Sequence, residues 1–262
     1  MPSILAAAIS TRTTSVALFA AGAELRLERS ATAANDEFAS PRPLLRRFLA
    51  QDLGSLAAAC VSAAVTPPTS WPPLAAADLA AALGMADVEL IDEVVAGGEW
   101  LLGLAPEEIE PLPATGALPG AAGEGFWAVW DGGAAAPRLA RLRRGAGGGV
   151  LEAGPLAPAS RSALAAPAAG AASSGTSASP AAALGGLIAA VAALAPHGAA
   201  APEAGFGLYL GGAGIGTLTP TDRRQLAEAF ANGGQARIPV HLVQRPPSPL
   251  WGAARRAWRL LR

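Results

Sequence analysis

Short apolar runs of β type alternate along the chain with longer stretches of helical spacing. Ile4 to Ile9 is apolar, Ser10-Thr-Arg-Thr-Thr14 is polar, and Ser15 to Phe19 is apolar again. That pattern predicts two strands joined by a short turn. Ala23 to Arg29 alternates polar and apolar residues through its middle, as expected of a half-exposed third strand. After a loop around Ala34-Asn-Asp36, Pro43 to Ala50 has helical spacing, and Leu56 to Val65 predicts a buried strand. The proline-rich run Thr66 to Pro73 excludes regular structure, and Leu74 to Leu83 predicts a helix that stops at Gly84.

The stretch Asp87-Val-Glu-Leu-Ile-Asp92-Glu93-Val-Val-Ala96 is a short strand that delivers two adjacent carboxylates at its C-terminal end. In open α/β sheets, ligands gather at that end of the strands, and a carboxylate there suits a general base for a hydroxyl nucleophile. Acidic residues also favour the first turn of a helix for electrostatic reasons alone. Asp92 and Glu93 therefore carry both readings, with a helix predicted over Val94 to Leu104.

Beyond it, Phe126 to Trp130 and Arg138 to Leu142 predict a hairpin turning at Asp131-Gly-Gly133. Residues 145–180 are almost wholly Gly, Ala, Ser and Pro, and predict a poorly packed linker. Ala181 to Leu194 suits a buried helix. Gly205 to Leu210 predicts a strand running into Gly211-Gly-Ala-Gly-Ile-Gly216. Thr219 or Thr221 can cap a helix through Phe230, with Asp222 in its first turn. A last strand over Arg237 to Val243 and a last helix over Leu250 to Leu261 complete an α/β chain.

Composition narrows the chemistry. Hydrophobic residues make up 52% of the 262 positions but aromatic residues only 5%, so the core is built from many small contacts. A formal charge of −1 offers no electrostatic case for nucleic acid or an anionic membrane. The 19 basic residues are all Arg, which removes Schiff-base chemistry and a phosphate-loop lysine. Cys60, the one cysteine, sits in an apolar run and excludes an intrachain disulfide. Two histidines, His197 and His241, are too few for a histidine-rich metal site. No run reaches the roughly 18 apolar residues of a membrane span, and the chain is expected to be cytoplasmic.

Taken in order, Val88-Glu-Leu-Ile-Asp-Glu93, Gly207-Leu-Tyr-Leu-Gly-Gly212, Ile238-Pro-Val-His-Leu-Val243 and Pro249-Leu-Trp-Gly-Ala-Ala254 resemble the bacterial glucokinases. These are sugar kinases of the actin-like ATPase superfamily. The resemblance implies a two-lobed, actin-like (ribonuclease H-like) α/β fold with a shortened second lobe. The lobes are expected at 1–105 and 106–262. It also implies ATP-dependent phosphorylation of glucose as in glycolysis, with ATP and Mg as cofactors, a hexose as partner and a homodimer as an option.

The departures are as informative as the matches. The family opens with an Asp-x-Gly-Gly-Thr-Asn turn whose glycine amides approach the ATP phosphates and whose Asp helps organise magnesium. Close backbone approach needs Gly, and a hard cation needs oxygen ligands. Here Ala8 stands at the Asp, Ser10 and Thr11 at the glycines, and Arg12 and Thr13 at the Thr-Asn. The second phosphate turn falls on Asp131-Gly132-Gly133 and lacks its Thr. Gly211-Gly212 falls at the adenosine site, although a Gly pair also suits any tight strand-to-helix turn.

On the sugar side, the family's Asn-Asp is replaced by Asp92-Glu93, which places Glu93 at the catalytic base with one extra methylene. A sugar-contacting Asn is replaced within Thr66 to Trp71, and Glu152 falls at a sugar-binding Glu. The resulting expectation is a degenerate glucokinase-like pseudoenzyme. The alternatives are a working kinase using Glu93 as base and Arg12 on phosphate, and a non-catalytic actin-like interaction module. For the last, the tail Leu250 to Leu261 is either a docking helix or a helix packed on its own lobe.

Overall fold

The computed structural model describes residues 1–50, 56–64, 71–113, 115–117, 119–131, 137–144, 151–155, 184, 187, 191, 207–232 and 238–262. They divide into two compact units, one of Met1–Trp100 with Ser248–Arg262, the other of Leu101–Pro247.

The first unit holds a sheet of β1 (Ser3–Ile9), β2 (Thr13–Ala21), β3 (Leu25–Ala34), β4 (Leu56–Ala63) and β5 (Val88–Asp92), in the order β3-β2-β1-β4-β5. The β1–β2–β3 part is an antiparallel meander, and β4 and β5 join it in parallel. Helices α1 (Pro41–Phe48), α2 (Ala76–Leu83) and α3 (Glu93–Leu101) follow β3, β4 and β5. The side-chain period of 2 decides what each face meets. Leu5, Ala7 and Ile9 of β1 face a cluster with Leu44 and Leu45 of α1 and Leu79 and Leu83 of α2. Ile4 and Ala6, with Ala58 and Cys60 of β4, face Ala253, Ala254 and Ala257. Buried on both faces, β1 and β4 have the continuous apolar sequence such a position requires.

Those three alanines belong to the last helix. The expected division at residue 105 assigned it to the second lobe, whereas the structure packs it on the first sheet. Small residues on both sides let helix and sheet approach closely, and a partly buried set of ion pairs centred on Glu99 and Glu89 ties the helix to the sheet and α3. Arg256 binds Glu89 of β5 through two bonds of 2.7 Å, and both Arg256 and Arg259 reach Glu99 of α3, which is 1% exposed. A lone buried carboxylate would be costly; two guanidinium groups make it tolerable.

The second unit holds β6 (Ile109–Pro111), β7 (Gly125–Val129), β8 (Arg138–Arg144), β9 (Leu151–Pro155), β10 (Gly207–Gly211) and β11 (Val240–Val243), in the order β6-β11-β10-β7-β8-β9. Its β9-β8-β7-β10-β11 portion repeats the wiring of the first sheet: an antiparallel meander, then two parallel strands. Helices α4 (Ala213–Gly216) and α5 (Pro220–Asn232) follow β10, and α6 (Pro249–Arg259) follows β11. One face of the sheet presents Phe126, Ala128, Leu208, Leu210, Val240 and Leu242 to a core that includes Leu226 of α5. Leu184, Leu187 and Val191 join that core at the spacing expected of the buried helix; the rest of 181–194 lies outside the described residues. Trp127, Tyr209 and His241 occupy neighbouring strands on the other face, with the Tyr and His rings stacked 4.8 Å apart.

Two elements differ from the sequence pattern. Leu151–Pro155, inside the stretch expected to be linker, is edge strand β9, paired antiparallel to β8. Its small residues hid a strand whose stability comes from the ladder rather than from its own side chains. The three-residue β6 was not anticipated, being too short to show alternation. No helix among the described residues is long and apolar enough to cross a membrane.

Candidate functional site

The β1–β2 turn is built from Ser10, Thr11 and Arg12, leading into Thr13. Ser10 Oγ donates to the Thr13 carbonyl at 2.8 Å and accepts from the amides of Thr13, at 3.0 Å, and Arg12, at 3.3 Å. The Ser10 amide donates to the Thr13 carbonyl. Asn35, buried just after β3, completes the closure. Its side-chain amide donates to the Ser10 carbonyl at 2.9 Å, its Oδ1 accepts from Thr14 Oγ1 at 2.7 Å, and its backbone amide donates to the Arg12 carbonyl. Two amides of the turn are thus held by a serine hydroxyl inside the turn. In the glucokinase pattern, glycines leave this backbone open to phosphate. The Arg12 side chain is exposed and has no hydrogen bond or ion pair with a described residue.

Asp92 ends β5 and Glu93 begins α3, so the strand delivers its two carboxylates to a helix start. Asp92 Oδ1 accepts from the Val94 amide at 2.7 Å, the bond of a helix N-cap. The helix-start reading accounts for Asp92. Glu93 stands half-buried in the first turn of α3, at the same strand end. The family's Asn could make the same capping bond, so Asp92 keeps the geometry while adding a negative charge beside Glu93.

Gly211 and Gly212 close β10 and lead into α4. A Cβ on Gly211 would lie 2.2 Å from the Trp127 indole, which lies across this strand end. Gly212 has φ +107, and a Cβ there would lie 2.5 Å from the Trp130 carbonyl oxygen. The same carbonyl accepts from the Gly214 amide, and the Trp130 amide donates to the Gly211 carbonyl at 2.8 Å. The glycine pair is therefore required by packing against the end of β7, whatever else it does. Sequence reasoning missed this partner because Trp127 and Gly211 meet only through the β7–β10 pairing.

Glu152 lies on β9, opposite Arg143 of β8, with a 3.6 Å ion pair between them. Gly132, Gly133 and the Thr66–Ser70 part of the proline-rich loop lie outside the described residues. Trp71, at the end of that loop, is buried and donates its indole N–H to the Phe38 carbonyl at 2.8 Å.

The donor set does not fit a magnesium nucleotide of the family's kind. The sequence resemblance sets the family's cation-organising Asp at position 8, where this chain carries the methyl group of Ala8, and among the described residues no cluster of three metal-ligating side chains forms.

Comparison with known proteins places the fold. No protein-family model and no curated protein sequence matches the chain. Solved structures do. A glucokinase from an Antarctic psychrotroph is 17% identical with a TM-score of 0.62, covering 99% of each chain. A ROK-family protein from Streptococcus pneumoniae TIGR4, in complex with sucrose, is 13% identical with a TM-score of 0.55, covering 99% of this chain and 98% of its own. A ROK-family transcriptional regulator, a homologue of the E. coli MLC protein, is 12% identical with a TM-score of 0.50, covering 98% of this chain and 78% of its own. The chain therefore has the α/β fold of the glucokinase and ROK sugar kinases, as the sequence resemblance implied. At these identities the likeness concerns the fold.

Proposed function

We propose that the chain is a glucokinase-like protein in which ATP-dependent phosphorylation of glucose is impaired to the point of loss. The observation that carries this reading is the closed β1–β2 turn. Phosphoryl transfer depends on positioning and on electrostatic stabilisation of the transferring group. Here the amides of Arg12 and Thr13 bind Ser10 Oγ, and Ala8 offers no side-chain oxygen. A sugar could still be held near Glu93 without being turned over, and hexose binding without catalysis is the activity this reading expects. Glucose is the hexose named by the resemblance.

The test is ADP release by the purified protein with MgATP, in the presence and absence of glucose. The expected result is no glucose-dependent release. Robust turnover that Glu93→Gln abolishes would replace this reading with a working kinase that uses Glu93 as base. The exposed Arg12 guanidinium favours that second reading, because it is a cation available for phosphate. Thermal stabilisation that requires both MgATP and glucose would support it. The non-catalytic interaction reading draws support from a transcriptional regulator having the same fold. Its expected signature is a stoichiometric partner together with no response to nucleotide.

A further inference from the structure

Strand β3 stands at one end of the first sheet, where among the described residues it pairs with β2 alone. Its outer edge is a template on which a further strand can form main-chain hydrogen bonds. Residues 26–32 are exposed, and β3 contains neither Pro nor Lys, two residues that commonly blunt such an edge. It does contain a bulge: Leu18 faces Arg29 while Phe19 faces Leu27, so Glu28 has no register partner. Phe19 belongs to the cluster beneath α6, and Leu27, as its cross-strand partner, rises from the same face of the sheet.

Exposed apolar groups gather at this point of the edge. Leu27 is 43% exposed and Trp251 of α6 is 38% exposed, and both adjoin Phe19. The Trp251 ring meets the Phe19 ring edge-on, with centroids 4.8 Å apart. Arg26 and Glu28 flank Leu27 along the chain and form an exposed ion pair of 3.7 Å. Opposite charges one residue either side of an apolar one make the edge complementary to itself. In an antiparallel pair of identical strands centred on Leu27, each Leu27 faces the other, and Arg26 of each copy faces Glu28 of the other. Centring the pair on Arg26 or on Glu28 instead sets like charges face to face, which is unfavourable. Charge thus selects both the occupant, a second copy, and its register.

We propose that two copies of the chain associate through β3, antiparallel about Leu27, joining their five-stranded sheets into one continuous sheet. The two-fold axis stands perpendicular to the sheet, so both α6 helices fall on one face and the Leu27 pair is flanked by the two Trp251 rings. The bulge at Glu28 confines the ladder to residues near Leu27. The interface is therefore smaller than that of a permanent dimer, and its dissociation constant is on the order of 100 µM.

Sedimentation equilibrium of the full chain between about 10 µM and 1 mM tests this, and the parent is expected to pass from monomer to dimer across that range. Arg26→Glu sets carboxylate against carboxylate in the pair, and Glu28→Arg sets guanidinium against guanidinium. Each variant alone should dimerise at least about tenfold more weakly than the parent. Mixed in equal amounts, the two variants restore opposite charges at both positions, and the mixture should recover the dimer. Leu27→Lys should abolish it. Positions 26, 27 and 28 are exposed, so all these variants are expected to keep the parent melting temperature, which is measured alongside. Leu27→Cys should form a covalent dimer under mild oxidation, since directly opposed residues lie within disulfide reach. The parent, whose Cys60 is buried, should not. A parent that stays monomeric at about 1 mM would overturn the proposal. So would a dimer indifferent to both charge reversals, a mixture as monomeric as its components, or no cross-linking through Leu27→Cys.

Discussion

The β1–β2 turn and the β10–α4 turn invite the same nucleotide-binding reading from their sequences, yet they are built in opposite ways. The first has no glycine and closes on itself: Ser10 holds the backbone from inside and Asn35 clamps it from outside. The second keeps its glycines because Trp127 and Trp130 occupy the space that side chains would need. A turn can thus lose the glycine signature and remain tightly ordered, and a turn can keep the signature for packing reasons alone. Glycine content by itself does not report an anion site; where the backbone amides point does.

The comparison breaks most readily at Gly212. Gly212→Ala combines a positive φ with a collision against the Trp130 carbonyl. A loss of about 2–4 kcal/mol in urea unfolding is expected from strain and overpacking. A change near zero would mean that the turn relaxes freely. Next is Asn35→Ala, which removes two side-chain bonds from the first turn and leaves the buried Thr14 hydroxyl without its acceptor. A cost of about 2 kcal/mol follows from the usual penalty for buried polar groups. Asn35→Asp, which cannot donate to the Ser10 carbonyl, should fall between the two.

A smaller effect separates capping from chemistry at the β5–α3 junction. Asp92→Ala should cost about 1 kcal/mol through the lost N-cap, whereas Asp92→Asn should keep most of it. Equal costs in denaturant unfolding would remove the capping role assigned to Asp92.

The smallest effect distinguishes the two units by pH. His241, in the second unit, is buried, and desolvation lowers its pKa below the usual 6.5. Its native state therefore resists protonation while the unfolded chain accepts it, so the unfolded chain binds more protons as pH falls below about 6.5. Stability is complete above that pH and declines toward the depressed native value. His241→Phe should flatten the melting-temperature profile between pH 7 and 5.5 relative to the parent. An unchanged slope would assign the effect to carboxylates instead.

Much of the architecture was legible in the order of elements. The predicted strands over β1, β2, β4, β5, β7, β8, β10 and β11 all form, with ends displaced by a few residues, because their apolar runs are strong and bounded by turns. Helix α2 stops at Gly84 as its sequence indicates. β9 was not legible, since Glu152-Ala-Gly-Pro has no side-chain pattern to distinguish an edge strand from linker. At the site, the position of Glu93 where β5 meets α3 was legible. The closure of the first turn was not, because Asn35 is 25 residues from Ser10 and reaches it only after β2 and β3 have paired.

Local pattern determined the α/β class, the strand and helix order and the residues available at each turn, because side-chain periodicity and turn chemistry act over a few residues. Tertiary structure decided which unit holds the last helix, what covers Gly211, where Glu99 finds its guanidinium partners and whether the amides of Arg12 and Thr13 face inward. Each of these depends on groups brought together across a sheet or between a strand and a distant helix. Spacing along the chain does not encode such contacts.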